Sequence, residues 1–232
     1  MGTLADALRN AVGLIVSLDA DLIEYAGRSL YIALVSTCLA SMAAVPIGIL
    51  LAERAFRGKR IVVTVLNTLL GVPTVVVGLL VYSFISRQGP LSALGMLFTV
   101  PGIITGEVLL ILPLITALTL TAVARLDRDV RRTALSLGAN EAQALWAVFR
   151  ESRFGILAAI IAAYGRVVGE VGIATILGGN AAGFTRTLTT AIVLNVEMGY
   201  FERALALGLV LLGLSFTLNI AFQLLQGGGR GQ

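Results

Sequence analysis

Five apolar runs, at about residues 29–52, 61–86, 100–124, 156–177 and 204–225, set the terms on which this 232-residue chain can fold. Each is long enough for one helical crossing of a bilayer, which takes about 20 residues. Backbone groups in lipid must pair inside the protein, so isolated strands are excluded and the runs read as helices. Charged residues make up 13% of the chain, against roughly 25% in soluble domains. The expected fold is an all-α integral membrane protein with about five spanning helices in a domain covering 29–225. Residues 1–28 read as an extracytoplasmic or interfacial segment, and 226–232 as a flexible cytoplasmic tail.

The distribution of Lys and Arg gives an orientation, because cytoplasmic loops carry the excess. Loop 53–60, the stretch 125–153 and the tail hold eleven, while the opposite loops hold five: Arg9, Arg28, Arg87, Arg186 and Arg203. The richer side is expected to be cytoplasmic. The chain then sits in the cytoplasmic membrane with its N-terminus outside and its C-terminus inside. This topology accounts for the net charge of +4, and no nucleic-acid partner is expected. The first 28 residues carry four acids against two Arg, which is not the basic start of a secretory signal. The apolar patch at 11–18 is too short to span and is expected at the interface or against the bundle.

The chain has no His and a single cysteine, Cys38, inside an apolar run. This excludes His-based catalysis, Cys/His metal centres and an intrachain disulfide. Cys38 reads as a small buried thiol. Lys59 is the only lysine, Arg60 follows it, and Glu53 stands where a P-loop needs its first Gly. The chain therefore cannot bind ATP through that motif, and no catalytic residue or metal ligand set stands out.

Between the third and fourth runs lies a polar island, 125–153, with six Arg and four acidic residues. Asn140 is a good N-cap, and Gln143 stands where a capping box needs it. Leu145, Val148 and Phe149 follow at helical spacing, so 140–151 is expected to be a short helix with one apolar stripe. Residues 130–137 form a second helical piece, and Gly138 supplies the turn. The cluster Arg125, Arg128, Arg131 and Arg132 is explained by topology or by contact with an acidic partner surface.

The run Thr133-Ala134-Leu135-Ser136-Leu137-Gly138-Ala139-Asn140 resembles the "EAA" loop of ABC importer permeases. The family's Glu-Ala-Ala positions correspond to Arg132, Thr133 and Ala134, and its Gly to Gly138. The sequence departs from the family at Arg132 and at Glu151, where the family has Pro. The resemblance implies a type I importer transmembrane domain whose coupling helix docks on a cytoplasmic ATPase. It implies coupling roles for Arg132, Thr133, Ala134, Gly138, Ala139, Asn140, Leu145 and Phe149.

A second resemblance lies downstream. Gly165-Arg166-Val167-Val168-Gly169-Glu170-Val171-Gly172, Gly178-Gly179-Asn180 and Gly183-Phe184-Thr185-Arg186-Thr187 look like the oxyanion branch of these permeases, and most like tungstate permeases. The run Leu70-Gly71-Val72-Pro73-Thr74 also fits. The implied function is a tungstate permease subunit working by alternating access, with molybdate or sulfate as the alternative. The implied partners are two ATPase subunits, which carry the ATP and Mg, an outer binding protein and a second copy of this chain. No cofactor is expected on the chain itself. An ATP-independent anion carrier or channel and a non-transporting scaffold are the competing classes.

Arg166 and Glu170 are four apart and are expected to share a helix face. An ionisable residue inside a span is a functional candidate by default. The two form either a structural ion pair or a gate, and Glu107 is a further possible partner of Arg166. Pro73, Gly178, Gly179, Asn180 and Arg186 are the other candidates for the path. Thr185, Thr187, Thr189 and Thr190 read as a solvated re-entry loop or as a pore mouth. Gly165 and Gly169, four apart, are expected to let helices approach closely.

Overall fold

The computed structural model describes residues 20–126 and 129–227, together with 8, 9, 12, 13, 16 and 17. Nine helices carry these residues: α1 (Ala20–Glu53), α2 (Lys59–Leu69), α3 (Thr74–Ile85), α4 (Val100–Ala124), α5 (Asp129–Ser136), α6 (Glu141–Val168), α7 (Gly172–Gly178), α8 (Leu188–Glu197) and α9 (Phe201–Gly227). α1, α4 and α9 are each long and apolar enough to cross a membrane, and two bent pairs, α2 with α3 and α6 with α7, bring the number up to five where each pair counts as one broken span.

α1 and α4 form the centre of the bundle. They run parallel in a register that places Ser36 against Glu107 and Gly48 against Thr119. The α1 face is built from small residues: Ala33, Ser36, Ala40, Ala44 and Gly48 are all buried. Small side chains let backbones approach, which is the main source of helix association where lipid is as apolar as the core. The approach is close enough that a Cβ on Gly48 would lie 2.7 Å from Thr119 Cβ and 2.9 Å from the Thr116 carbonyl oxygen.

The structure corrects several expectations. α1 takes residues 20–28 into the first crossing, while half of the patch at 11–18 (residues 11, 14, 15 and 18) lies outside the described residues, as do Arg128 and 228–232. Cys38 is exposed on the outer surface of α1, because the small-residue face and not the thiol turns inward. The second run is not one straight span. Gly71–Pro73 interrupts it and bends α2 against α3 by 101°. Proline lacks an N–H and pushes Val72 out of helical backbone. The short helix expected at 140–151 does not stop there. It continues into the fourth crossing as one 28-residue helix, α6, because no proline stops it and Gly155 is held within the helix, packed against Ala122. The fourth crossing itself breaks at Gly169–Val171 with a 60° bend.

The two ends of the bundle are distinguishable. At one end Arg131 approaches Glu53 at 3.9 Å, so α5 lies beside loop 53–60. At the other, Arg28 donates to the carbonyls of Gly183 and Arg186, and Arg203 pairs with Asp21. The two Arg-rich segments thus share one end, away from the N-terminus of α1.

Candidate coupling elbow and translocation site

At the Arg-rich end, α5, a tight turn and the start of α6 form an elbow. Gly138 has φ +90° and ends α5. The Gly138 N–H donates to Leu135 O and the Ala139 N–H to Ala134 O, the paired bonds of a Schellman motif. Asn140 then opens α6 with both bonds of a capping box: Gln143 N–H to Asn140 Oδ1 and Asn140 N–H to Gln143 Oε1, each 2.9 Å. Arg131 ties the two helices together through both oxygens of Glu141, at 2.9 and 2.7 Å. The elbow is therefore an ordered unit with its terminal backbone groups satisfied.

The faces of the elbow are not those the sequence pattern suggested. Ala144 and Val148 are buried in the chain's own core, with Leu145 and Phe149 packed against it. The apolar stripe holds the elbow to the bundle. What it presents outward is Leu137, 82% exposed beside Gly138, and Trp146, 64% exposed and stacked on Phe149 at 5.1 Å. Arg132, Thr133, Gly138 and Asn140 also lie on the exposed side, and Ala134 and Ala139 are half-buried. Sequence reasoning missed Leu137 and Trp146 as surface apolar residues. The available signal was that Trp146 lies two positions from Ala144, on the opposite side of the helix from the inward row.

α6 carries the elbow to a second irregular region. α6 ends at Val168, and Glu170 lies beyond its cap at Gly169. Arg166 and Glu170 therefore do not share a helix face, and the structure contains no ion pair between them. Glu170 turns inward, and its Oε1 accepts the Ile173 N–H in the first turn of α7, at 3.2 Å. Its carbonyl accepts Thr189 Oγ1 at 2.8 Å. Glu107 does not reach Arg166 either. It is buried in α4 and accepts Ser36 Oγ at 2.8 Å. Among the described residues Arg166 has no hydrogen bond or ion pair. It lies on an exposed face of α6 with Ala158, Ala162, Gly165 and Gly169. Among the described residues, no atom lies within 4 Å of a Cβ built on Gly165 or Gly169, so neither glycine makes a tight helix contact, and Gly165 instead borders a small crevice with Ser215 and Leu218 of α9.

The two breaks meet. A Cβ on Gly172 would lie 3.0 Å from Thr74 Oγ1 and 3.4 Å from Glu170 Oε1. The α2–α3 break at Pro73 and the α6–α7 break at Glu170 thus face each other inside the bundle. α7 packs beyond them into seats made by missing side chains: a Cβ on Gly106 would meet Leu177 at 2.6 Å, and one on Gly178 would meet Ile103 at 2.6 Å. Non-helical backbone at membrane depth is tolerated only where protein buries it or where it lines a cavity.

The threonine-rich segment is neither solvated nor a mouth. Thr185, Thr187, Thr189 and Thr190 are all buried. Thr185 Oγ1 donates to Gly178 O at 2.6 Å, and Thr187 and Thr190 make the capping box of α8. These hydroxyls are consumed in building a turn and a helix that sequence reading did not anticipate. Arg186 staples that turn, donating through Nε to Asn180 Oδ1 at 3.1 Å and through Nη2 to Asn180 O at 3.2 Å. Asn180 follows Gly179, and both have positive φ (50° and 69°) where α7 ends.

Comparison with known proteins fits this architecture. A family model described as "Binding-protein-dependent transport system inner membrane component" matches residues 44–228. A probable anion ABC transporter permease protein of Haloferax volcanii is 38% identical over 203 residues, 85% of this chain and 88% of the relative. The tungstate uptake system permease protein TupB of Peptoclostridium acidaminophilum is 34% identical over 226 residues, 97% of this chain and 99% of its own. TupB of Campylobacter jejuni is 38% identical over 164 residues, 71% and 69% of the two chains. With three to five apolar spans, an ordered elbow and a match across most of its length, the chain belongs to the family of binding-protein-dependent transport system inner membrane components, as a multi-pass ABC transporter permease.

Proposed function

We propose that this chain is the membrane subunit of an ATP-driven tungstate importer, working as a pair of copies. A separate ATPase, which carries the ATP and Mg, docks on the elbow, and an outer binding protein delivers the anion. The relatives named as tungstate uptake permeases support the substrate. The elbow supports the partner: it is rigid, tied to the bundle by its inward face, and exposes Leu137 and Trp146 outward.

The observation that carries the mechanism is the continuity of α6. Its 28 residues span about 42 Å at 1.5 Å per residue. A push on the elbow travels along one hydrogen-bonded rod to the break at Gly169–Val171. There Glu170 caps α7 through its side chain and holds α8 through its carbonyl. Tilting α6 therefore moves α7 and α8 together and changes which side of the membrane is open. The exposed Ala162, Gly165, Arg166 and Gly169 face is the side of α6 that lines the path between copies. Arg166 there supplies an unpaired cation for a passing oxyanion, while Glu170, Pro73, Gly178, Gly179, Asn180 and Arg186 build the gate backbone within the bundle. The elbow end is cytoplasmic on this reading, by its Arg content.

The test is reconstitution of the chain with an ABC ATPase and an anion-binding protein from the same organism in liposomes. Tungstate-loaded receptor is expected to stimulate ATP hydrolysis and tungstate uptake. Uptake by the chain alone, down a gradient, would favour a carrier and overturn the reading.

A further inference from the structure

Arg153 stands apart from the other cations of the island. It lies on α6, 15 residues before the helix end at Val168, or about 22 Å along the axis. Opposite it on α1 is Pro46, seven residues from the end at Glu53. Arg153 thus sits at the edge of the apolar region. Among the described residues it has no hydrogen bond or ion pair, and its guanidinium lies over the Phe154 ring at 4.8 Å. It closes one end of a groove of about 490 Å³ between α1 and α6, whose walls include Met42, Val45, Phe149, Ile156, Leu157 and Ile160. No other charged residue lines this groove. From Arg153 to Ile160 the groove runs about 10 Å deeper into the span.

We propose that this groove holds one anionic phospholipid, with its phosphate on Arg153 and an acyl chain along α1 and α6. An unpaired guanidinium at the hydrocarbon edge needs a counter-anion, and its planar donors match phosphate oxygens in pairs. The walls below it match a hydrocarbon chain: besides Arg153, Ser41 is the one polar side chain among those lining residues, and its buried hydroxyl is unpartnered among the described residues. Basic pockets between spans are the usual sites for acidic head groups. A bound lipid here rests on Val45 and Pro46 of α1 and on Phe149 of α6, so it braces the rod directly above the elbow.

The test uses the full chain, purified in detergent with whatever subunits accompany it, and titrated with phosphatidylglycerol or phosphatidylcholine under native mass spectrometry. The wild type is expected to retain phosphatidylglycerol preferentially. Arg153→Gln is expected to weaken that lipid about five-fold or more and to leave phosphatidylcholine unchanged, while Arg153→Lys retains part of the preference. Leu157→Trp, which narrows the groove, is expected to weaken both lipids. Arg150→Gln, on the same helix but outside the groove, is expected to change neither. Equal binding of the two lipids by the wild type, an equal loss in Arg150→Gln and Arg153→Gln, or a Leu157→Trp variant that separates two copies without losing lipid would each overturn the proposal. None of these readouts involves transport, so their failure is distinct from failure of the importer reading.

Discussion

Replacing Leu137 and Trp146 separates the docking face of the elbow from its structural face. In the isolated chain Leu137 is 82% exposed and Trp146 64% exposed, so neither contributes much to the fold. Fully burying a side chain of this class is worth about 1.5–3 kcal/mol. Scaled by the exposure available to a partner, Leu137→Ser removes about 1.2–2.5 kcal/mol of docking energy and Trp146→Ser a similar amount. At 1.4 kcal/mol per tenfold, each variant weakens ATPase association by about 7- to 60-fold. The assay is co-purification of the ATPase with tagged permease across a dilution series, alongside thermal unfolding of each permease in detergent. Both variants are expected to melt with the wild type and to lose the partner. Leu145→Ser is expected to lower the melting temperature first, because Leu145 packs on the bundle core. Full partner retention by Leu137→Ser with Trp146→Ser combined, beside loss in a stably folded Leu145→Ser, would refute this assignment of faces.

Other outcomes follow from the same geometry. Gly48→Ala places a Cβ 2.7 Å from Thr119 Cβ and 2.9 Å from a carbonyl oxygen; thermal unfolding is expected to show a loss of about 1–3 kcal/mol. Gly27→Ala in the same helix meets nothing within 4 Å and is expected to gain about 0.5–1 kcal/mol from helix propensity; equal melting of the two variants would contradict the tight α1–α4 contact. Arg186→Gln loses the charged bonds to Asn180, at about 1.5–3 kcal/mol for such a bond, and is expected to raise protease cleavage between Gly179 and Thr187. Glu170→Ala frees the first turn of α7 and is expected to leave ATPase assembly intact while lowering uptake per ATP hydrolysed. Arg166→Gln, on an exposed face, is expected to keep the wild-type melting temperature and lose tungstate uptake.

Much of this architecture was legible from local chemistry. The run at 100–124 coincides with α4, because Thr99 caps it, Pro101 suits a helix start and Arg125 ends the apolar stretch. The elbow's turn and capping box followed from Gly138, Asn140 and Gln143, whose bonds span only a few residues. Long-range features were not legible. That 140–151 and 156–168 form one rod is masked by the switch from a polar to an apolar pattern and by Gly155 between them, which read as a boundary although no proline stops the helix. The spacing of Arg166 and Glu170 suggests a pair only if the helix continues, and Gly169 ends it. The threonines at 185–190 look like a polar mouth until the turn stapled by Arg186 and the start of α8 absorb them. Arg28 reads as a loop cation, yet it holds the carbonyls of Gly183 and Arg186 across 155 and 158 residues. A periodic stripe likewise reports that a face is apolar, not whether its partner is the same chain, and so the pattern alone does not separate a docking surface from a core contact at Leu145 and Phe149.

The rod itself can be measured. Ala142 and Ala162 are both exposed on α6 and lie 20 residues apart, about 30 Å along an unbroken helix. Spin labels at these sites, in complexes where labelled chains are diluted with unlabelled ones, give that distance with and without ATP. A single sharp distance near 30 Å in both states is expected, together with a nucleotide-dependent change between Ala162 labels of the two copies. A short or broadened distance within α6 on ATP binding, or an Ala162 that stays still while the ATPase closes, would contradict transmission through this helix.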